Sequence, residues 1–249
     1  VLNATITSFT NVVCFGENNG SATLGVTGGT ASYTYDWYDA PPGTTTLPNV
    51  SNFLAGIYNV NVTDAKGCLA AAQVEILEPT LLRSAITDTI HVLCNGKCTG
   101  EMEIVGLDGS SGYTYDWYDV GNASTPRLVG ICAGTYHAKI TDANGCLDTA
   151  EVIISEPALL TSSITDTTHN LCFEDCGGVA IVTPVGGKSG YTFDWYDAGN
   201  TSDSTASNLC IGTYNVEIID ANGCKDTSTV SITEPTVLDG TIISKMLDC

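Results

Sequence analysis

From Tyr33 to Tyr38 the chain alternates strictly. Tyr33, Tyr35 and Trp37 fall on one face, and Thr34, Asp36 and Tyr38 on the other. This is the period of a strand with one buried face, and the aromatic face is the core face. The pattern returns at 113–118 and at 191–196, where Phe193 stands in the place of Tyr35, so no hydroxyl is needed there. A later strand points Tyr58, Val60 and Val62 inward and Asn59 and Asn61 outward. Its counterparts are Tyr136, Ala138, Ile140 and Tyr214, Val216, Ile218. The following strand carries Val74 and Ile76, Val152 and Ile154, or Val230 and Ile232. Between the two lies an Asp-Ala-x-Gly segment, a hairpin turn whose Gly and Asn accept positive φ. No segment shows a helical stripe.

These elements form a repeat. Trp37, Trp117 and Trp195 are spaced by 80 and 78 residues, while Cys68, Cys146 and Cys224 are spaced by 78 and 78. Glu78-Pro79, Glu156-Pro157 and Glu234-Pro235 close each copy. The predicted organisation is residues 1–79, 80–157 and 158–235, with 236–249 the first strand of a truncated fourth repeat. Several short strands around a buried Trp predict an all-β fold of tandem immunoglobulin-like β-sandwich repeats. The linkers are short and contain Pro, so a semi-rigid rod is expected rather than a flexible string. With no initiator Met and no signal peptide, the chain reads as an interior segment of a longer polypeptide, and its secretion is inferred.

Charge narrows the partners. The net charge is −20 and the eight Lys and Arg are scattered, so nucleic acid and anionic membrane surfaces are excluded. No stretch of 18 apolar residues is present, so nothing is expected to span a membrane.

Eleven cysteines in regular positions point to disulfides and an oxidising compartment. Each complete repeat has an early Cys and one after the turn, which predicts Cys14 with Cys68, Cys94 with Cys146 and Cys172 with Cys224. The second and third repeats add Cys98 with Cys132 and Cys176 with Cys210. The first repeat has Asn18 and Leu54 at those places, so the two extra cysteines are absent together. Cys249 is left over and is expected to pair beyond the segment. A zinc site at Cys94 and Cys98 needs two further ligands, and the co-occurrence points to Cys132 instead.

An early Cys, a YxYxW strand, L/I-x-x-G-x-Y, V/I-x-D-A-x-G-C and a closing ITEP-like segment together resemble the SprB-type repeat. That repeat is found in large cell-surface adhesins of gliding Bacteroidota. The GTY-strand-DANG portion also resembles a PKD domain, another immunoglobulin-like sandwich. The resemblance implies an extracellular, cell-surface location, export by the type IX system, and a role in adhesion or gliding motility. Cys98, Cys132, Cys176 and Cys210 go beyond the pattern common to that family and imply a hardened version.

Candidate sites are few. His91 and His169 are equivalent to Asn11, and His137 to Asn59 and Asn215; no Ser and Asp partners single out a triad, so no catalytic residue is assigned. The turns with Asp142, Asn144, Asp220 and Asn222 lack the further oxygens of a calcium loop. No cofactor or metal is assigned, with calcium between repeats the alternative. Tyr38, Tyr118 and Tyr196 lie outward beside acidic residues, a surface for stacking on sugars or for a protein contact; the simpler expectation is that the next loop covers the ring. Asp-Thr-apolar triplets and close variants resemble the O-glycosylation motif of Bacteroidota and mark Thr89, Thr149, Thr167 and Ser204.

The sequence thus reads as a non-enzymatic stalk or spacer segment of a repetitive adhesin, whose ligand is met through the parent protein. Two alternatives stand beside it. One is a homo-oligomeric subunit of an extracellular filament, and the other is a carbohydrate-binding module that takes glycans.

Overall fold

A computed structural model describes residues 1–40, 46–121, 123–199 and 202–240. Cys249 lies outside the described residues. Among those residues every regular element is a strand. The first repeat contributes β1 (Asn3–Thr10), β2 (Gly20–Thr27), β3 (Thr34–Asp36), β4 (Asn49–Phe53), β5 (Gly56–Thr63) and β6 (Leu69–Ile76). The same series returns as β7 (Arg83–Ile90), β8 (Gly100–Leu107), β9 (Thr114–Trp117), β10 (Arg127–Ile131), β11 (Gly134–Thr141) and β12 (Leu147–Ile154). It returns again as β13 (Thr161–Thr168), β14 (Gly178–Val185), β15 (Thr192–Asp194), β16 (Thr205–Leu209), β17 (Gly212–Ile219) and β18 (Lys225–Ile232).

Each series makes two three-stranded sheets. The first, second and fourth strands form one, in the order β1-β2-β4, and the third, fifth and sixth form the other, in the order β3-β5-β6. The orders β13-β14-β16 and β15-β17-β18 repeat this arrangement. The split is that of an immunoglobulin-like sandwich, and a tyrosine corner marks it further. Tyr58, near the start of β5, donates its hydroxyl to the carbonyl of Leu54 at 3.1 Å, and Tyr214 donates to Cys210 at 3.2 Å. The tandem immunoglobulin-like fold expected from the sequence is the fold observed.

The chain divides into two compact units. One holds Val1–Thr89, Met102–Leu128 and Thr135–Ile153; the other holds Ile90–Glu101, Val129–Gly134 and Ile154–Cys249. In the first, Trp37 packs with Phe53, Val60, Val62 and Ile76. In the second, Trp195 packs with Leu209, Val216, Ile218 and Ile232. Trp37, Trp117 and Trp195 are all 0% exposed. Each buried indole N–H has an acceptor: the carbonyl of Leu47 at 3.0 Å, of Thr125 at 2.9 Å and of Asp203 at 3.0 Å. The loop after the Trp strand thus satisfies a polar group whose isolation would be costly. Removing such a ring costs about 3–5 kcal/mol, a large share of a small domain's stability.

Strand direction decides where the cysteines lie. Val12, just past β1, donates its N–H to the carbonyl of Leu77 at 2.9 Å, so the Cys14 turn sits where β6 ends. Cys68 precedes β6. The eight residues of β6 at about 3.3 Å each put Cys68 roughly 25 Å from that end. A disulfide needs Cα atoms within about 7 Å. The expected Cys14–Cys68 pairing is therefore wrong, and by the same strand geometry so are Cys94–Cys146 and Cys172–Cys224. Cys14 bonds Cys146 and Cys94 bonds Cys224, with Cα atoms 5.5 and 5.6 Å apart. Cys98 bonds Cys132 and Cys176 bonds Cys210, each closing 34 residues. Cys68 and Cys172 are free and exposed.

Candidate inter-repeat joint

The joint is built from two turns, each braced by a carboxylate. On one side is the turn that bears the early Cys. Glu78, the residue before the closing Pro, accepts the N–H of Gly16 at 2.7 Å. Glu156 does the same for Gly96 at 2.7 Å, and Glu234 for Glu174 at 2.9 Å. A second brace comes from Asn11, whose side-chain oxygen accepts the Leu77 N–H at 2.9 Å. His91 and His169 replace it and accept through Nδ1 from Ser155 and Thr233. The two histidines that recur in sequence are thus exposed turn braces.

On the other side is the Asp-Ala-x-Gly-Cys turn. Asp142 is buried, and its carboxylate accepts N–H groups from Ser110, Asn144 and Cys146, each at 2.9 Å. Burial pushes this carboxyl up, but the N–H bonds from Ser110, Cys146, Asn144 and Gly145 outweigh it and hold it below the usual aspartate value. Asp220 is held low in the same balance, with Lys188, Cys224 and Asn222 as donors. Asp64 is held low chiefly by the N–H groups of Thr30 and Cys68. Both carboxylate oxygens of Asp142 and Asp220 are thus engaged by backbone donors, and turn chemistry accounts for the motif.

Where a following repeat begins, its linker completes the socket. Leu82 is buried, and it lies against Gly109, where an added Cβ would meet the Asp142 carboxylate at 2.8 Å and Leu82 at 3.1 Å. Gly109 has φ +59°, so a larger residue there is excluded both by conformation and by space. Gly187 repeats the arrangement with Asp220 and Leu160.

Plug and socket meet through three kinds of contact. The disulfide joins Cys14 to Cys146. The Asn144 amide donates to the Val13 carbonyl at 3.3 Å, and Asn222 donates to Leu93 at 2.8 Å. A shallow groove between the turns is lined by Phe15, Leu81, Leu82 and Leu147. The two bridges overlap in sequence, since they close 132 and 130 residues in a staggered order. Cys14 and Cys224 are consequently linked by two covalent routes. One follows the backbone to Cys94 and crosses there; the other crosses at once to Cys146 and follows the backbone onward.

The other predicted positions are separate from the joint. Tyr38, Tyr118 and Tyr196 are 56%, 48% and 46% exposed, so the expectation that a loop covers the ring is not met. Tyr118 stacks on His137 with ring centroids 6.2 Å apart and planes 9° from parallel. His137 contacts Asp119 at 2.8 Å and Glu151 at 3.4 Å. The hydrogen bond to Asp119 holds His137 above the usual imidazole value and Asp119 below the usual carboxylate value. Thr89 and Thr149 are exposed, and Thr167 and Ser204 half-buried. Sequence alone does not assign these bracing roles to Glu78, Glu156, Glu234, Asn144 and Asn222; their recurrence just before Pro or before Gly-Cys is the available signal.

The fold and joint define a tandem immunoglobulin-like protein whose consecutive repeats are covalently coupled. Residues 6–42 match the family model described as the SprB repeat. No curated protein matches the chain in sequence. Among solved structures, the three N-terminal domains of the bacteriophage RB49 outer capsid protein Hoc match at TM-score 0.41 and 15% identity, over 95% of this chain and 100% of that one. The N-terminal eight immunoglobulin domains of Down syndrome cell adhesion molecule match at 0.44 and 13%, over 94% and 36%. Drosophila OTK domains 3–5 match at 0.32 and 11%, over 93% of each. At these scores the immunoglobulin-like assignment rests on the strand order and the tyrosine corner. No helix among the described residues is long and apolar enough to cross a membrane.

Proposed function

We infer that this chain is a non-enzymatic, load-bearing spacer of a secreted cell-surface adhesin, acting in adhesion or gliding motility after type IX export. The observation that carries the reading is the staggered pair of bridges, Cys14–Cys146 and Cys94–Cys224. A tether under tension benefits from two covalent routes, because neither route can lengthen without the other. The bridges also fit an oxidising environment outside the cytoplasm. The SprB repeat at residues 6–42 supports the adhesin setting. No metal or organic cofactor enters this role.

Force spectroscopy on the oxidised and reduced chain, pulled from its ends, tests the reading. The oxidised path bypasses the 132 residues closed by Cys14–Cys146 and the 34 closed by Cys176–Cys210. Its fully extended length is then shorter by about 580 Å, at roughly 3.5 Å per residue. Equal extended lengths in the two states would refute the load-bearing role of the bridges.

A second reading is favoured by the exposure of Tyr38, Tyr118 and Tyr196: a repeated aromatic surface for sugar rings. Glycan binding abolished by Tyr→Ala at all three positions would support it, and binding unchanged by those substitutions would dismiss it.

A further inference from the structure

Each repeat presents an exposed Tyr on the outer face of its Trp strand, with an Asp two residues before it: Asp36 and Tyr38, Asp116 and Tyr118, Asp194 and Tyr196. In the second and third repeats an amine of the chain itself lies beside this pair. Lys139, opposite Asp116 across β9 and β11, places its Nζ 3.3 Å from the Asp116 carboxylate. Lys225, at the start of β18, places its Nζ 2.8 Å from Glu217, the cross-strand neighbour of Asp194. The hydrogen bond and charge of Glu217 hold Lys225 above the usual lysine value, and Tyr196 and Asp194 add to the effect. This ammonium therefore lies within electrostatic reach of the Tyr and Asp of its own repeat.

The first repeat has the same pair without the amine. Asp36 lies opposite Asn61 across β3 and β5, in the register that sets Lys139 opposite Asp116. Leu69 stands in the place of Lys225, and Asn59 in the place of His137, the ring that stacks on Tyr118. Asn59 is engaged within the sheet, since it donates to Asp39 at 2.9 Å and accepts from Gln73 at 2.8 Å. Among the described residues Asp36 makes no ion pair. Tyr38 is also the most exposed of the three rings.

We propose that the face around Tyr38 and Asp36 binds a lysine side chain of a basic partner protein, with the ammonium held by the Asp36 carboxylate and the Tyr38 ring. The other two repeats identify the ligand, because there the chain supplies the lysine itself. A carboxylate attracts an ammonium by charge, and the face of a tyrosine ring attracts it through its quadrupole. The net charge of −20 draws a basic partner toward this surface from a distance. The proposal goes beyond the spacer reading. It shares Tyr38 with the sugar-ring reading but does not rest on it.

The test uses the full oxidised chain with isotope-labelled tyrosine rings, titrated with Nα-acetyl-lysine methylamide and followed by NMR. Tyr38→Phe assigns the Tyr38 signal. That signal is expected to shift saturably with the amine probe and to stay unmoved by the same probe acetylated at Nε, which carries no charge. Asp36→Asn weakens the response about fivefold. Asn61→Lys supplies the amine from within and abolishes it. His137→Asn with Lys139→Asn gives Tyr118 the surroundings of Tyr38, and Tyr118 then responds as well.

An unmoved Tyr38, an equal response to the acetylated probe, or a response unchanged by Asp36→Asn overturns the proposal. So does a uniform shift of signals over the whole surface, which marks diffuse attraction to negative charge. Two further probes separate the ligand classes. Glucosamine that binds more tightly than the lysine probe assigns the face to an amino sugar, and the protein partner fails. A neutral glucose oligosaccharide that moves Tyr38 where the amine does not leaves the sugar-ring reading standing and refutes this one.

Discussion

The side-chain amide of Asn222 donates to the backbone carbonyl of Leu93 at 2.8 Å, beside the bridge from Cys94 to Cys224. The hydrogen bond ties the two turns together beside the bonded sulfurs. Asn222→Ala removes it, at a cost of about 1 kcal/mol, roughly a fivefold change in an equilibrium. The Cys94–Cys224 bridge is therefore expected to be reduced in a milder glutathione buffer in the variant than in the parent. Peptide mapping across a redox series measures this, and identical midpoints would remove Asn222 from the joint.

The first repeat lacks the inner bridge of the others. Asn18 and Leu54 occupy the places of Cys98 and Cys132, and both border a surface groove with Tyr58. Asn18→Cys with Leu54→Cys is expected to form a third inner bridge. Closing a loop of that length contributes about 3–4 kcal/mol in the chain-entropy model. Thermal unfolding before and after reduction gives the gain; an oxidised double variant that melts with the parent would count against the equivalence.

Stability is expected to peak between the carboxylate and imidazole ranges. Asp64, Asp142 and Asp220 have folded pKa values below that of an unfolded aspartate, about 3.9. Between the two values the unfolded chain binds more protons, so stability rises with pH there. Their contribution is complete above about pH 4 and is lost as the pH falls through the folded values. His137 acts in the opposite sense, because its folded pKa is raised. Its contribution is complete below about pH 6.5 and is lost as the pH rises through the folded value. Melting temperature against pH reads both limbs. Asp142→Asn with Asp220→Asn flattens the acid limb, and His137→Asn flattens the alkaline one.

Asn170 replaces the Val found at 12 and 92, and it is buried. Its side-chain amide has no hydrogen-bond partner among the described residues. A buried polar group in this state costs about 1–3 kcal/mol. Asn170→Val is expected to stabilise the third repeat by that order, read as an increase in its melting temperature. A variant less stable than the parent would show that the amide contributes something the apolar side chain cannot.

The sandwich was legible because alternation is local. Tyr35 and Trp37, or Val60 and Val62, declare a buried face within a few residues. The inner bridge was legible too, since Asn18 and Leu54 show both partners lost together, and Cys98 with Cys132 is the bonded pair. The outer pairing was not. Every repeat carries one early Cys and one turn Cys, so bonding within a repeat and bonding to the next produce the same sequence pattern. What separates them is the length of β6, which puts Cys14 and Cys68 at opposite ends of a strand. That is a three-dimensional fact, and co-occurrence does not contain it. The carboxylate braces were missed for a related reason, because Glu78 acts on Gly16 from far along the chain.

The doubled covalent route also bears on how the chain withstands proteolysis. A single peptide-bond cut anywhere between Cys14 and Cys224 leaves one route intact, so the two ends of this segment stay joined. Severing it takes two cuts, one on each route, or one cut together with a reductant. Damage to a lone loop is thus survivable, and a nicked molecule remains a single piece.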